Sequence, residues 1–409
     1  MAAENRASSG LRSLPRNVWI VTITSFLTDI SSEMVFNLLP LFLANVLGVK
    51  TNIIGLIEGI AETTASLLKV YSGWLSDRMG QRKWLTVAGY GLSSLAKPFL
   101  YLVTSWFGVL AVRFSDRLGK GIRTAPRDAL IADSIDEQHR GLAFGLHRAG
   151  DTLGAMVGLL IALALVAATQ SQAVVLSRET FQTVVLLSIL PAFLAVLVLA
   201  LGARETPVKG VREAPRLSLR GLNPAFRSFL GIVILFTLGN SSDAFLILRA
   251  QERGLNVLGV LGMLVTFNLV YALISGPAGA LSDRIGRRRL ILGGWAVYGL
   301  IYLGFALAAE AWQVWLLYAL YGIYYGVFEG AAKALVADLV PSEQRGTAYG
   351  VYNAAIGLVA FPASLLAGIL WQGVGTWEGF GPSAPFLLGA LLALTAMALL
   401  WLWQPSKHN

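Results

Sequence analysis

Gly73-Trp-Leu-Ser-Asp77-Arg78-Met-Gly80-Gln81-Arg82-Lys83 returns 206 positions later as Gly279-Ala-Leu-Ser-Asp283-Arg284-Ile-Gly286-Arg287-Arg288-Arg289. Each copy joins two long apolar segments. A short basic hairpin repeated at about half the chain length marks a duplicated membrane protein with one such hairpin in each half.

The duplication extends outward from these loops. Ala129-Leu-Ile-Ala-Asp133 reappears as Ala334-Leu-Val-Ala-Asp338, and Arg140-Gly-x-Ala-Phe-Gly145 as Arg345-Gly-x-Ala-Tyr-Gly350, both shifted by 205 positions. Near the start of each half, Phe26 and Ser31-Ser32-Glu33 match Phe236 and Ser241-Ser242-Asp243 at a shift of 210. Three anchors at nearly one offset predict two homologous six-helix bundles.

Composition agrees. Hydrophobic residues fill 56% of the 409 positions and charged ones 13%, against roughly 25% charged in a soluble protein. Apolar stretches of about 20 residues, the length that crosses a hydrocarbon core of about 30 Å, fit twelve times. They are 17–46, 52–76, 84–103, 106–130, 141–168, 182–203, 228–249, 258–281, 290–309, 313–338, 347–371 and 384–403. The fold expected is an all-α polytopic membrane protein of two pseudo-symmetric bundles, 1–203 and 228–409. Residues 204–227, basic and holding Pro207, Pro215 and Pro224, form a cytoplasmic link against an anionic leaflet.

The net charge of +9 is spread over alternate loops, which excludes a nucleic-acid patch. Arg6, Arg12, Arg16, Arg78, Arg82, Lys83, the link and Arg284 to Arg289 place both termini in the cytoplasm by the positive-inside rule. Residues 1–16 are polar and the first apolar run is a full bilayer long, so the first span is expected to stay in the protein. The chain has no cysteine and three histidines, so neither a thiolate nor a histidine-rich metal site is expected. No cofactor is expected either.

In the fourth span Arg113, Arg117, Lys120, Arg123 and Arg127 recur at helical spacing, a single stripe of five cations. Each charge at mid-membrane costs about 3 kcal/mol, so a lipid-facing stripe costs roughly 10 kcal/mol or more. It must face protein or water. The neighbouring acids are Asp29 with Glu33, Glu58 with Glu62, Asp116, Asp128 and Asp151. Arg113, Asp116, Glu58 and Glu62 read equally well as mutually neutralising structural charges. Asp29, Glu33, Arg117, Arg123 and Arg127 read as lining a central aqueous cavity, where a carboxylate beside a cation has a tunable proton affinity.

In the second half Asp243 is the repeat partner of Glu33. Glu329 and Lys333 stand one turn apart, acid first, the favourable order. Asn240, Asn268, Tyr271, Tyr324, Tyr325 and Tyr352 offer polar contacts, although core packing accounts for most tyrosines. His147, Arg148 and Asp151 share a turn of the fifth span, where a structural histidine is the commoner outcome and a proton carrier the alternative. Gly145, Gly150, Gly154 and Gly158 allow close helix approach. Asp77 and Asp283 stand where a carboxylate accepts from the free N–H groups of a neighbouring helix start.

Twelve spans in two halves, with the Gly-x-x-x-Asp-Arg-x-Gly loop after the second and eighth, resemble bacterial-type, twelve-helix secondary transporters of the major facilitator superfamily over essentially the whole chain. Gln81 departs from that loop pattern where a basic residue is usual. Arg117 and Gly121 match the fourth-span pattern of proton-coupled members, and Arg123 replaces its second glycine. The fifth span has the glycines of the exporter signature without its proline. The resemblance implies that Asp77 holds the start of the eleventh span near Arg345, and that Arg78 or Arg82 reaches Asp133. Gly73, Gly80, Asp283, Arg284 and Arg287 complete this expected cytoplasmic gate.

The function expected is secondary active transport of a small solute by alternating access at a midplane site. Proton-coupled efflux of a small organic compound leads. An exchanger or importer of an anionic metabolite, held by intramembrane arginines, is the alternative. Gly119-Lys120-Gly121 lacks the spacing of an ATP-binding loop. No nucleophile constellation points to an enzyme, and no sizeable soluble segment points to a receptor. The chain is expected to work as a monomer in a bacterial inner membrane, with protons and lipid as its partners.

Overall fold

The computed structural model describes residues 14–136, 139–170, 174–206, 222–341 and 344–403, without the side chains of 275–284, 327–330, 333, 345 and 346. α1 (Arg16–Phe36) leads through the single turn α2 (Leu39–Leu41) into a π-helical segment, Phe42–Val46. There follow α3 (Thr51–Met79), α4 (Lys83–Ala96) with a 3-10 extension Lys97–Tyr101, α5 (Trp106–Asp133), α6 (Arg140–Gln170) and α7 (Arg178–Gly202). The second half holds α8 (Pro224–Leu238), α9 (Ala244–Glu252), α10 (Val257–Ile285), α11 (Arg287–Leu307), α12 (Ala311–Asp338), α13 (Arg345–Gln372) and α14 (Ala384–Leu402). α8 begins inside the stretch expected to be the link; residues 207–221 of that link lie outside the described residues.

Among the described residues, seven helices are long and apolar enough to cross a membrane on those grounds alone: α1 with its π-helical extension, α6, α7, the Val257–Ile274 part of α10, α11, α13 and α14. α3 and α5 have the length, at 29 and 28 residues, but carry many charges. Those of α5 are turned inward: Arg113, Asp116, Arg117 and Arg123 are all buried.

Two of the expected spans, 17–46 and 228–249, contain breaks in their helices. α1 stops at Phe36, and Asn37 turns back so that its amide donates to the Glu33 carboxylate at 2.7 Å and to the Glu33 carbonyl at 3.1 Å. The seventh span is unwound over 239–243, because Gly239-Asn-Ser-Ser-Asp243 is a run of residues that compete with the helix for backbone hydrogen bonds. Its freed groups find partners. The Tyr298 hydroxyl donates to the Gly239 carbonyl at 3.1 Å, and the Ser242 N–H donates to Ser364 Oγ at 3.2 Å. Irregular backbone at this depth is tolerated where protein or a wet cavity satisfies it.

Small residues set the helix approaches. α6 lies on α1 so closely that a Cβ on Gly154 would stand 2.4 Å from the Phe26 carbonyl, and one on Gly158 2.5 Å from that of Ile30. Gly145, expected to share this role, faces open space. α3 and α13 join the two halves in the same manner: a Cβ on Gly55 would lie 2.2 Å from the Ser364 carbonyl. The Thr63 and Thr51 hydroxyls donate to the carbonyls of Gly357 and Gly368 at 2.6 and 3.1 Å.

The halves differ in what fills them. In the second, Phe236 stacks on Trp295 at 4.7 Å and Tyr298 on Tyr302 at 4.1 Å, with Tyr321 and Tyr324 stacked beside them. In the first, α3, α4 with its extension and α5 bury Glu58, Lys97, Arg113, Asp116, Arg117 and Arg123 among their apolar residues.

Candidate functional site

A cavity of about 450 Å³ lies between α1, α3 and α5 on one side and the 239–243 break, α9, α12 and α13 on the other. Six carboxylates line it: Asp29, Glu33, Glu58, Glu62, Asp116 and Asp243. Four cations face them, Arg113, Arg117, Lys120 and Arg123, all from α5. The helical spacing of the stripe turns these four to one side, as the cost of exposing them to lipid requires.

These charges divide into two sets. Arg113 is locked to Glu58 by two parallel bonds of 3.2 and 2.8 Å, both side chains being 6% exposed. Arg117 lies 3.4 Å from Glu62 and 3.8 Å from Asp116. Arg123 donates to Ser93 at 2.6 Å and lies 4.4 Å from the Tyr90 ring centre. By contrast, among the described residues Asp29, Glu33 and Asp243 are in no ion pair, and neither are Lys120 and Arg123. Glu33 accepts from Asn37, and Asp243 from the Tyr321 hydroxyl at 3.3 Å. Tyr325 and the polar groups of Asn240, Ser241, Ser242 and Ser364 complete the second-half wall.

Six residues expected at the cavity do line it: Asp29, Glu33, Arg117, Arg123, Asn240 and Asp243. Asp243, the repeat partner of Glu33, stands at the end of the unwound segment, next to the first residue of α9. Arg127, His147, Arg148 and Asp151 do not line the cavity. Arg127 is held one turn farther along α5 by Asp128 at 2.8 Å and by Ser25 at 3.3 Å. α6 packs on α1 and contributes no lining residue; His147 lies 3.7 Å from Asp151, and Arg148 donates to the Tyr271 hydroxyl of α10 across the two halves. The side chains of Glu329 and Lys333 lie outside the described residues.

Conversely, Glu58, Glu62, Arg113 and Asp116, which read equally well as structural charges, all reach the cavity wall. Phe36 lines the cavity beyond the residues expected there, and Lys97, which does not line it, bonds to the wall residue Ser32. Lys97 is 1% exposed and donates to Ser31 and Ser32 at 2.7 and 3.0 Å. The Phe36 ring, at the cavity wall, is faced by Lys97, Arg113 and Arg117 at 5.7, 4.4 and 5.9 Å. A lone lysine inside the apolar run 84–103 was the available signal, since such a charge is costly unless enclosed by protein.

At the repeated loops, Arg82 is the organising residue. It pairs with Asp77, donates to Asp133 at 3.1 Å and to Ser76 at 3.1 Å, while Glu205 accepts from the backbone N–H groups of Arg82 and Lys83 at 2.6 and 2.9 Å. Gly80 ends α3 in the left-handed conformation, φ 66°, that lets the chain turn there. Arg78 does not reach an acid in these contacts; its guanidinium stands 5.5 Å from the Trp74 ring centre. Gly73 packs on Ala125 of α5. In the second half Arg287 pairs with Asp338, the repeat partner of Asp133, and donates to the Ala334 carbonyl at 2.7 Å. Arg287 occupies the repeat position of Gln81, so each half makes the contact from a different arginine of its loop. The side chains of Asp283, Arg284 and Arg345 lie outside the described residues.

The Major Facilitator Superfamily model matches residues 21–265 and 229–409. An MFS-type transporter of Methanocaldococcus jannaschii is 36% identical over 395 residues, covering 95% of each chain. The multidrug resistance protein MdtG of Enterobacter lignolyticus is 26% identical over 398 residues, 93% of this chain and 90% of its own. Among solved structures, a bacterial homologue of the human lysosomal transporter Spinster, inward-facing and occupied, superposes with a TM-score of 0.76 at 17% identity, covering 95% of this chain and 98% of that one. The nucleoside transporter NupG gives 0.72 at 15% identity, covering 95% and 100%. The protein is therefore an all-α polytopic membrane protein and a transporter, not an enzyme, and the chain belongs to the Major Facilitator Superfamily.

Proposed function

We propose that this transporter exports a small organic compound in exchange for protons, by alternating access about the cavity between its halves. Residues 1–203 and 228–409 are the two moving bundles, joined by 204–227, with both termini in the cytoplasm and one chain sufficing. The observation that carries the reading is the set of cavity carboxylates outside any ion pair among the described residues, Asp29 and Glu33 from α1 and Asp243 from the break in the seventh span. A carboxylate not committed to a cation is free to take up a proton when the cavity dries and to release it when wetted or approached by Arg117, Arg123 or Lys120.

Six acids against four bases at the wall favour a cationic or neutral cargo over an anion. The name borne by MdtG, multidrug resistance protein, points toward organic compounds as well. Purified protein in liposomes with an imposed pH gradient and an organic cation dye tests the reading. Asp29→Asn, Glu33→Gln or Asp243→Asn at the true proton carrier should abolish gradient-driven dye movement while sparing dye exchange without a gradient. Full gradient-driven transport in all three variants would refute it. The arginine-organised anion exchanger would then stand, since Lys120 and Arg123 face the cavity with no paired carboxylate among the described residues.

A further inference from the structure

We propose that a basic pocket at the start of α11, remote from the transport cavity, is a binding site for the phosphate headgroup of an anionic phospholipid. The pocket, about 630 Å³, is lined by Ile285, Gly286, Arg287, Arg288, Arg289, Leu292 and Trp401. Three consecutive arginines therefore meet the end of α14 at one hollow.

Each arginine has a distinct environment. Arg287 is neutralised by Asp338. Arg288 is fixed in place: it donates to the Leu400 carbonyl at 3.2 and 3.0 Å and to the Trp401 carbonyl at 2.7 Å, and lies 5.9 Å from the Trp403 ring centre. Bonding to carbonyls leaves its charge uncompensated. Arg289 is exposed and, among the described residues, has no hydrogen-bond or ion-pair partner. Three guanidinium groups and one carboxylate leave the hollow with a net positive charge, and guanidinium is the side chain best suited to a phosphate.

The remaining walls choose between a lipid phosphate and a free one. Trp401 is 69% exposed and Ile285 39% exposed, and with Leu292 they give the hollow an apolar flank continuous with α11 and α14, two helices long and apolar enough to span a bilayer. Indole rings at helix ends favour the headgroup level. A soluble phosphate has no use for that flank. A phosphodiester with acyl chains below it uses both parts, and basic pockets between membrane helices on the cytoplasmic side are suited to such headgroups.

The test is native mass spectrometry and thermal unfolding of the purified full chain in detergent with added phosphatidylglycerol, phosphatidylcholine or inorganic phosphate. Phosphatidylglycerol should bind and raise the unfolding temperature, the other two should not, and Arg289→Gln should weaken phosphatidylglycerol binding about fivefold, the worth of one basic residue at an anionic surface. Its stability in phosphatidylcholine should be unchanged. Trp401→Ala, which keeps every charge, should weaken the lipid as well. Undiminished phosphatidylglycerol binding in both variants would overturn the site, and equal stabilisation by inorganic phosphate would overturn its assignment to lipid.

Discussion

Removing the acid from the Arg113–Glu58 pair tests whether these charges are a structural lock. Both side chains are 6% exposed and joined by two bonds of 3.2 and 2.8 Å. Glu58→Leu leaves a buried guanidinium without its principal partner, which costs about 3–5 kcal/mol. Asp116 and Glu62 already serve Arg117 at 3.8 and 3.4 Å, so they offer Arg113 little relief. Replacing both members together with apolar residues of similar volume, Glu58→Leu with Arg113→Met, should be close to neutral, because the desolvation of both charges is recovered. Equilibrium unfolding in mixed micelles of the wild type, both single variants and the double variant gives the coupling energy directly. A coupling of about 2 kcal/mol or more, with transport retained in the double variant, assigns the pair to structure. Additive single costs would refute the reasoning, and a stable double variant without transport would place the pair in the transport cycle.

Asp77→Asn should lower turnover strongly while leaving membrane insertion and ligand binding intact, since it removes the acid paired with Arg82 at the repeated loop; near-normal turnover in liposomes would reject a gating role. Arg82→Gln should have the larger effect, because it also gives up Asp133 and Ser76, and comparison of both turnovers checks the order. Gly55→Val should destabilise the contact between α3 and α13 by about 1–3 kcal/mol through overpacking, because even a Cβ there stands 2.2 Å from the Ser364 carbonyl; an unchanged unfolding temperature would contradict the close approach. Arg123→Gln should impair transport more than the charge-compensated Glu58→Leu/Arg113→Met variant, as Arg123 faces the cavity with no paired acid among the described residues; the reverse order of initial rates would move the working site away from Arg123.

Much of this protein is written locally. Apolar stretches of membrane length, the doubled Asp-Arg-x-Gly loops and the basic links report on each segment's own interaction with lipid and water, so family, helical class and the inward stripe of α5 follow without knowing which helices touch. The cost of a charge in hydrocarbon made Asp29, Glu33, Arg117, Arg123 and Asp243 legible as cavity residues in the same way. What lay beyond local reading depends on partners remote in sequence. Glu58 reaches Arg113 across 55 positions and Lys97 finds Ser31 across 66, and no periodicity encodes such pairings. Arg127, His147 and Asp151 carry the same residue types as the cavity set, yet they lie off it because one further turn of α5 and the packing of α6 on α1 carry them elsewhere. The break at 239–243 was spelled in Gly239-Asn-Ser-Ser-Asp243, but whether such a run unwinds inside a membrane depends on neighbours able to satisfy the freed backbone, here Tyr298 and Ser364 from distant helices. Burial against lipid is a property of each segment, whereas pairing between side chains is a property of their arrangement in three dimensions.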